Sequence, residues 1–326
     1  MTTTTLTSRP AATPASVLAN LVRRGAAIWI VVAIFLVILS ITRGGQLWST
    51  GNLAALLTSA VLLGIVALGQ YLVVISGGID LSIGANVSVT TLLTAMLIDG
   101  YPMRTFPVIV GVVLLGGVLG ALNGFAVARL QLPPFIVTLA TLYIYGGLAL
   151  WISSVPTGQV TTIMSDFAIG RIGPIPYMFL VLLALIAIVW FLTQRTAWGR
   201  HLFASGGDPD AARLAGIRVE RTTLWAYTFA GLLAGIAGVL LASRSIIGNP
   251  TAGDGFELSA ITVVVLGGTS LLGGKGTILG TMGGVALLSL ITNSITLLQF
   301  PSTVTDLIRG IVIIAAAAIF VAKRRR

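Results

Sequence analysis

The sequence predicts an all-α fold: a polytopic membrane protein with about ten transmembrane helices and both termini on the cytoplasmic face. Three observations carry this expectation. Of the 326 residues, 56% are hydrophobic and 9% charged, and the mean hydropathy is +1.03. A soluble domain carries about 25% charged residues, and a chain this apolar has too few polar side chains to cover itself in water. Ten stretches are apolar enough to cross a bilayer, and the basic residues fall unevenly between the loops they define.

The ten spans are Ala26–Thr42, Asn52–Ile75, Leu81–Ile98, Thr105–Arg129, Phe135–Ser153, Pro174–Leu192, Thr223–Ala242, Glu257–Leu272, Thr277–Leu298 and Thr303–Ala322. A hydrocarbon core of about 30 Å takes about 20 helical residues, so the shorter spans need little tilt or enclosure by neighbours. With the N-terminus inside, 14 basic residues fall on the inner face. Five fall at the outer one: Arg43, Arg104, Arg171, Arg244 and Arg309. This is the asymmetry of the positive-inside rule, and dropping a central span would scramble it. Residues 1–25, rich in Thr, Ser, Ala and Pro, read as a disordered cytoplasmic tail rather than a signal peptide, because no clean small-x-small cleavage site follows. Residues 26–322 form the transmembrane domain, and residues 323–326 (Lys-Arg-Arg-Arg) are a basic stop on the inner face, not a nucleic-acid patch, since they abut a span.

Little in the chain suits covalent chemistry. It has no cysteine, one histidine and nine carboxylates, so neither a catalytic site nor a metal site is expected. His201 sits alone in a basic loop and reads as solvated. The glycine-rich Gly267–Gly276 run resembles a phosphate loop only briefly. Walker A requires G-x-x-x-x-G-K-[ST], but Thr269 stands where the first glycine belongs and Gly276 follows Lys275. The run reads instead as an inner-face turn. Glycines within spans, as in Gly116–Gly124 and Gly231–Gly238, let helix backbones approach closely. LQLPP (Leu130–Pro134) and LQFPS (Leu298–Ser302) lie on opposite faces in this topology; they fit two inverted halves, and chance accounts for them equally well.

Two interior features remain. Ser76–Ser82 breaks the second and third spans and places Asp80 nearest the membrane interior. An ionisable group there either caps the start of the third span or lines a solute path, and a broken helix beside a cavity calls for both. The outer loop Arg244–Glu257 holds Arg244, Asp254 and Glu257, which are candidates for docking an external protein.

The one long polar interruption is the cytoplasmic loop, residues 195–222. Asp208 is a good N-cap, Pro209 suits the first helical position, Asp210 suits the helix N-terminus, and Gly216 suits a left-handed stop. The helix so defined has about two turns, too short to persist alone in water. Ala211, Ala212, Leu214 and Ala215 give it a small apolar face to hold against the protein or a partner, and Arg213, Arg218, Glu220 and Arg221 flank it.

Four segments resemble one family. GGDPDAARLAGI (Gly206–Ile217) is similar to the coupling-helix segment of the ribose/xylose/arabinose-type permeases of bacterial ABC importers. SGGIDLSIGA (Ser76–Ala85), NGFAVARLQLPPFIVTLAT (Asn123–Thr141) and PTAGDGFELSAITVVVLGGTSLLGGKGTILGT (Pro250–Thr281) extend the match in the family's order. The last block looks most like ribose permeases. The resemblance implies a multi-pass protein of the bacterial inner membrane, paired with a second permease subunit. A cytoplasmic ABC ATPase would carry ATP and Mg, and an external or periplasmic binding protein would deliver a monosaccharide. It implies ATPase contact at Gly207, Asp208, Ala211, Ala212, Arg213, Leu214 and Gly216, and a solute path near Asp80, Ser82 and Asn123. It implies no catalysis and no cofactor in this chain. An ABC permease for another small solute, a sugar derivative or a branched-chain amino acid, is the alternative reading; an ion-coupled transporter stands behind it and would need ion-binding carboxylates in mid-span, where only Asp80 comes near.

Overall fold

The computed structural model describes residues 27–298 together with Leu307 and Gly310. The tail, the basic end, the tenth span apart from those two residues, and the second copy of the LQ-P motif beyond Leu298 lie outside the described residues. Among those described, the chain is helical apart from one two-residue hairpin. The helices are α1 (Ala27–Leu47), α2 (Thr50–Ile75), α3 (Ile83–Ile98), α4 (Pro102–Ala128), α5 (Pro134–Ile152), α6 (Thr162–Ile169), α7 (Tyr177–Arg195), α8 (Ala197–Gly207), α9 (Pro209–Leu214), α10 (Val219–Ser245), α11 (Phe256–Leu266) and α12 (Ile278–Leu297). Strands β1 (Arg171–Ile172) and β2 (Ile175–Pro176) pair antiparallel between α6 and α7.

Seven of these helices (α1, α2, α4, α5, α7, α10 and α12) are long and apolar enough to cross a membrane. The expected third and eighth spans are the shorter α3 and α11. The eighth was read too long. Its helix stops at Leu266, and Gly267 and Gly268 turn the chain out of it. There the N–H of Gly268 donates to Val265 and that of Thr269 to Val264, with Gly268 at φ +83°. This is the paired 5→2 and 6→1 bonding of a Schellman stop.

Helix α2 is the axis of the molecule. Every residue from Ala60 to Ile75 is buried. Around it pack α3, α7, α10, α11 and α12, with Leu68, Leu72, Ala230, Ala234, Val263 and Leu288 in one core. Helices α4, α5 and α7 instead expose large apolar side chains along their outer sides, among them Phe106, Leu114, Ile144 and Phe191. An apolar outside around a partly polar inside is the distribution expected when the solvent is lipid. The molecule is a multi-pass membrane protein.

The most extensive helix pair is α4 against α10. Gly116, Gly120 and Gly124 recur at four-residue spacing and face Tyr227, Gly231 and Gly235 at the same spacing. A Cβ on Gly116 would lie 2.6 Å from the Gly231 carbonyl oxygen, and one on Gly235 would lie 2.9 Å from Val113 Cα. The backbones touch, so the packing has no room for a side chain. Helix α1 lies outside this core against α12, where Trp29 Nε1 donates to the Leu279 carbonyl at 3.0 Å. Asn52 on α2 and Asn293 on α12 exchange two amide hydrogen bonds of 3.2 and 2.8 Å.

Candidate functional site

The polar loop expected to hold one short helix holds two. Thr196 caps α8, its hydroxyl accepting from the Gly199 N–H at 3.1 Å. Helix α8 buries Leu202, Ser205 and Gly206 against the body. Asp208 then caps α9, accepting from Asp210 N–H at 3.1 Å and Ala211 N–H at 3.0 Å, with Pro209 in the first turn. Gly216, at φ +81°, stops α9. Its N–H donates to Arg213, and that of Ile217 donates to Ala212. Arg213 pairs with Asp210 at 3.0 Å and with Glu220 of α10 at 3.2 Å. Exposed pairs of this kind add little stability individually, but this one joins α9 to α10.

The small apolar face divides in two. Ala212 is buried at 4% exposure and faces the body, whereas Leu214 is 92% exposed. Gly207, Asp208, Ala211, Arg213 and Gly216 are exposed beside Leu214. Six of the seven residues expected to meet a partner are thus at the surface, and Ala212 anchors the helix that presents them.

The seat of this loop was not foreseen. Gly206 packs backbone to backbone on the Ile75 carbonyl, at the end of α2, and on Gly274. The Gly274 N–H donates to that same Ile75 carbonyl at 3.0 Å. Gly273 lies against Gly77 and Gly206. Three separate segments meet here through Cα atoms and peptide groups alone. The glycine run that resembled a phosphate loop is structural. It wedges the polar loop against the end of the central helix.

Beyond Gly77 the chain turns back into the body. Gly77, at φ +88°, donates to Val74 and Gly78 donates to Val73, forming another Schellman stop. The chain climbs beside α2 until the Asp80 peptide is level with Gln70; with its amide oxygen and nitrogen exchanged, that side chain donates to the Asp80 carbonyl at 2.9 Å and accepts from the Asp80 N–H at 3.2 Å. At 1.5 Å per residue, Gln70 is about 8 Å up from the end of α2, so α3 starts inside the body. Asp80 Oδ1 accepts from the Ser82 N–H at 2.8 Å and the Ser82 hydroxyl at 2.7 Å, and Asn123 Nδ2 donates to Ser82 Oγ at 2.7 Å. The three candidate solute-path residues therefore form one buried chain of hydrogen bonds linking the break to α4. Asp80 closes a turn onto the Ser82 N–H two residues on, while Ser82 holds the N-cap position of α3 without a side-chain cap bond.

The opposite end is built from the loop after α10. It is stitched to the α5–α6 loop by a bridge between Thr157 and Gly248, of 2.8 and 3.0 Å. It then dips inward, where the Gly253 N–H donates to Ser88 of α3 at 2.9 Å. Glu257, expected at an outer docking surface, is turned into the body. Its Oε1 accepts from the Gly255 N–H at 3.2 Å, and its buried Oε2 packs on Gly84. Asp254 is exposed, and partial loss of its water shell raises its carboxyl above the ordinary range. Arg244 lies near Arg171 of the hairpin, both lining one cavity, and neither is in an ion pair among the described residues.

The fold is a lipid-facing bundle in which α3 starts inside the body beside α2 and one polar loop is wedged against the end of that central helix. The chain belongs to the family described as branched-chain amino acid transport system / permease component, whose model matches residues 52–317. It is 34% identical to the fructose import permease protein of Rhizobium meliloti, covering 89% of this chain and 83% of that protein. It is 36% identical to the ribose import permease protein of Bacillus subtilis, covering 81% and 83%. It is 35% identical to the D-allose transport system permease protein of Escherichia coli, covering 83% of each. No solved structure matches the chain significantly.

Proposed function

We propose that the chain is the permease subunit of an ATP-driven ABC importer of the bacterial inner membrane, translocating a monosaccharide delivered by an external binding protein. It spans the membrane about ten times, pairs with a second permease subunit, and performs no catalysis. A partner ATPase holds ATP and Mg and grips the loop at Gly207, Asp208, Ala211, Arg213, Leu214 and Gly216, with Ala212 as the anchor. The observation that carries this reading is an exposed short helix whose base is locked to the end of the central helix. A push on Leu214 moves α9 and, with it, the Gly206 backbone against Ile75 and Gly274, with Ala212 and the Arg213–Glu220 pair holding the helix to the body, and shifts the Asp80–Ser82–Asn123 chain just beyond. Rigid-body switching of this kind needs a stiff connection. The binding protein docks at the outer end, on Arg244 and Asp254 with Arg171 beside them. The three relatives named for sugars favour a monosaccharide over the branched-chain amino acids in the family's description.

The test is uptake in proteoliposomes holding the permease, its ATPase and its binding protein. Ribose, fructose, allose and leucine are supplied in turn, with ATP or with an ion gradient. ATP-dependent uptake of one of the sugars is expected. Uptake that ignores ATP and follows the gradient would identify an ion-coupled transporter instead.

A further inference from the structure

Two of the membrane-spanning helices meet the polar loop with the same order of residues. Helix α7 carries Trp190 and, five residues on, Arg195 at its last position; α10 carries Arg221 in its first turn and Trp225 four residues on. Each tryptophan therefore sits about 6–8 Å deeper along its span than its arginine. Trp190 is 46% exposed and Trp225 45%, and both arginines are exposed as well. The Arg195 guanidinium lies 5.4 Å from the centre of the Trp190 ring. Helix α8 packs on both spans and is tied to α10 by aromatic rings. Trp198 meets Phe229 edge-on at 5.1 Å, and Phe229 stacks on Trp225 at 5.6 Å. Arg200, exposed on α8, adds a third guanidinium.

The positive charge of this surface is uncompensated. Helices α7 and α8 contain no Asp or Glu, and the single carboxylate of α10, Glu220, is held by Arg213. Among the described residues, Arg195, Arg200 and Arg221 take part in no ion pair. The surface thus calls for an anion, and depth decides its kind. A protein partner in the aqueous phase reaches the arginines alone. The exposed tryptophans lie along the sides of apolar spans, where lipid is the solvent. Tryptophan is enriched where headgroups give way to acyl chains, and basic side chains snorkel to the phosphates above that level. A phosphodiester over the guanidinium groups, with its acyl chains along Trp190 and Trp225, satisfies both parts of the surface.

We infer that this surface binds an anionic phospholipid of the adjoining leaflet, and that the bound lipid braces α8. The first turn of α8 carries Trp198 and Arg200, and its far end carries Gly206, which packs on the Ile75 carbonyl. A lipid held at the first turn therefore steadies the seat of the whole polar loop. The inference needs only a membrane-embedded fold and stands independently of the importer reading.

The test uses the full-length chain in a neutral detergent, titrated with phosphatidylglycerol or with phosphatidylcholine. Native mass spectrometry reads lipid retention and thermal unfolding reads stability. Preferential retention of phosphatidylglycerol is expected, with a higher melting temperature than phosphatidylcholine gives. Arg195→Gln, Arg200→Gln and Arg221→Gln should each weaken that retention about fivefold. The triple variant should lose the preference, whereas Arg129→Gln, at the exposed end of α4, should keep it. Equal retention of the two lipids by the unmodified chain overturns the inference, as does a triple variant that still prefers phosphatidylglycerol. Inorganic phosphate that reproduces the thermal shift also overturns it, in favour of a soluble anion. A triple variant that keeps its lipid preference but loses capture of the ATPase assigns the surface to a protein partner instead. If the triple variant fails to fold, the three single variants, each at an exposed position, carry the same test.

Discussion

The carbonyl oxygen of Ile75 accepts the N–H of Gly274 at 3.0 Å, 199 residues away in sequence, while Gly206 packs on the same carbonyl. One peptide group at the end of the buried central helix thus holds both the inner turn and the loop that carries α9. The segment leading into α9 thus meets α2 backbone to backbone, alongside the Arg213–Glu220 pair that ties α9 to α10.

Adjacent glycines separate the joint from its rim. A Cβ on Gly206 would collide with the Ile75 carbonyl, whereas one on Gly207 would approach Gly274 Cα only to 3.8 Å, an ordinary contact. Gly206→Ala is therefore expected to lower stability by about 1–3 kcal/mol and to abolish ATP-driven uptake. Gly207→Ala should leave the melting temperature near wild type, so that any loss of uptake there reports the ATPase contact and not the joint. Thermal unfolding in detergent and the uptake assay check both.

The same contrast applies within α4. Gly116→Ala drives a methyl into the Gly231 carbonyl and should cost about 1–3 kcal/mol. Nothing lies within 4 Å of a Cβ at Gly111, so Gly111→Ala should stabilise the helix by about 0.5–1 kcal/mol. Equal effects at the two positions would contradict the close approach of α4 and α10.

Helix α9 offers a test of presentation against anchoring. Leu214→Asp should leave the fold intact and weaken capture of the ATPase in a pull-down. Ala212→Trp, at a buried position, should lower stability before it affects any partner. Asp208→Ala removes two hydrogen bonds and should destabilise the loop by about 1 kcal/mol; Asp208→Asn should recover most of that loss.

At the break after α2, Asp80→Ala strands the Ser82 N–H and hydroxyl in a buried site. The expected loss is about 1–3 kcal/mol per unsatisfied group. Asp80→Asn keeps an acceptor for Ser82 and should be milder. Chemical denaturation of the purified variants ranks them, and a milder Ala than Asn would argue against the turn at Asp80.

Much of this architecture is legible in local sequence. Apolar length marks the spans, Asp208 and Pro209 mark the start of α9, and Gly216 its stop, because each depends on neighbours within one turn. Helix α8 was missed because its mixed residues show no span-like run, although Thr196 three residues before Gly199 is a cap signal in hindsight. The hairpin at Arg171–Pro176 turns on Gly173 at φ +59°, and its Ile-Gly-Pro-Ile core was absorbed into the edge of a span. The eighth span was extended through Gly267 and Gly268 because hydropathy continues where the helix does not. The inward turn of Glu257 and the junction of Gly77, Gly206 and Gly274 were illegible for a different reason. Each depends on segments brought together only by the finished fold.

A hinge assembled from glycines has no adjustable parts. A bulkier or smaller side chain cannot retune it, since any side chain at Gly206 jams it. On the proposed coupling role, fitting the chain to a different motor would work on the rim around Leu214 and leave the joint beneath unchanged. Under that proposal, which engine drives the protein and how the stroke is relayed are separable properties, so an exchange of the exposed α9 residues alone should suffice to exchange the motor.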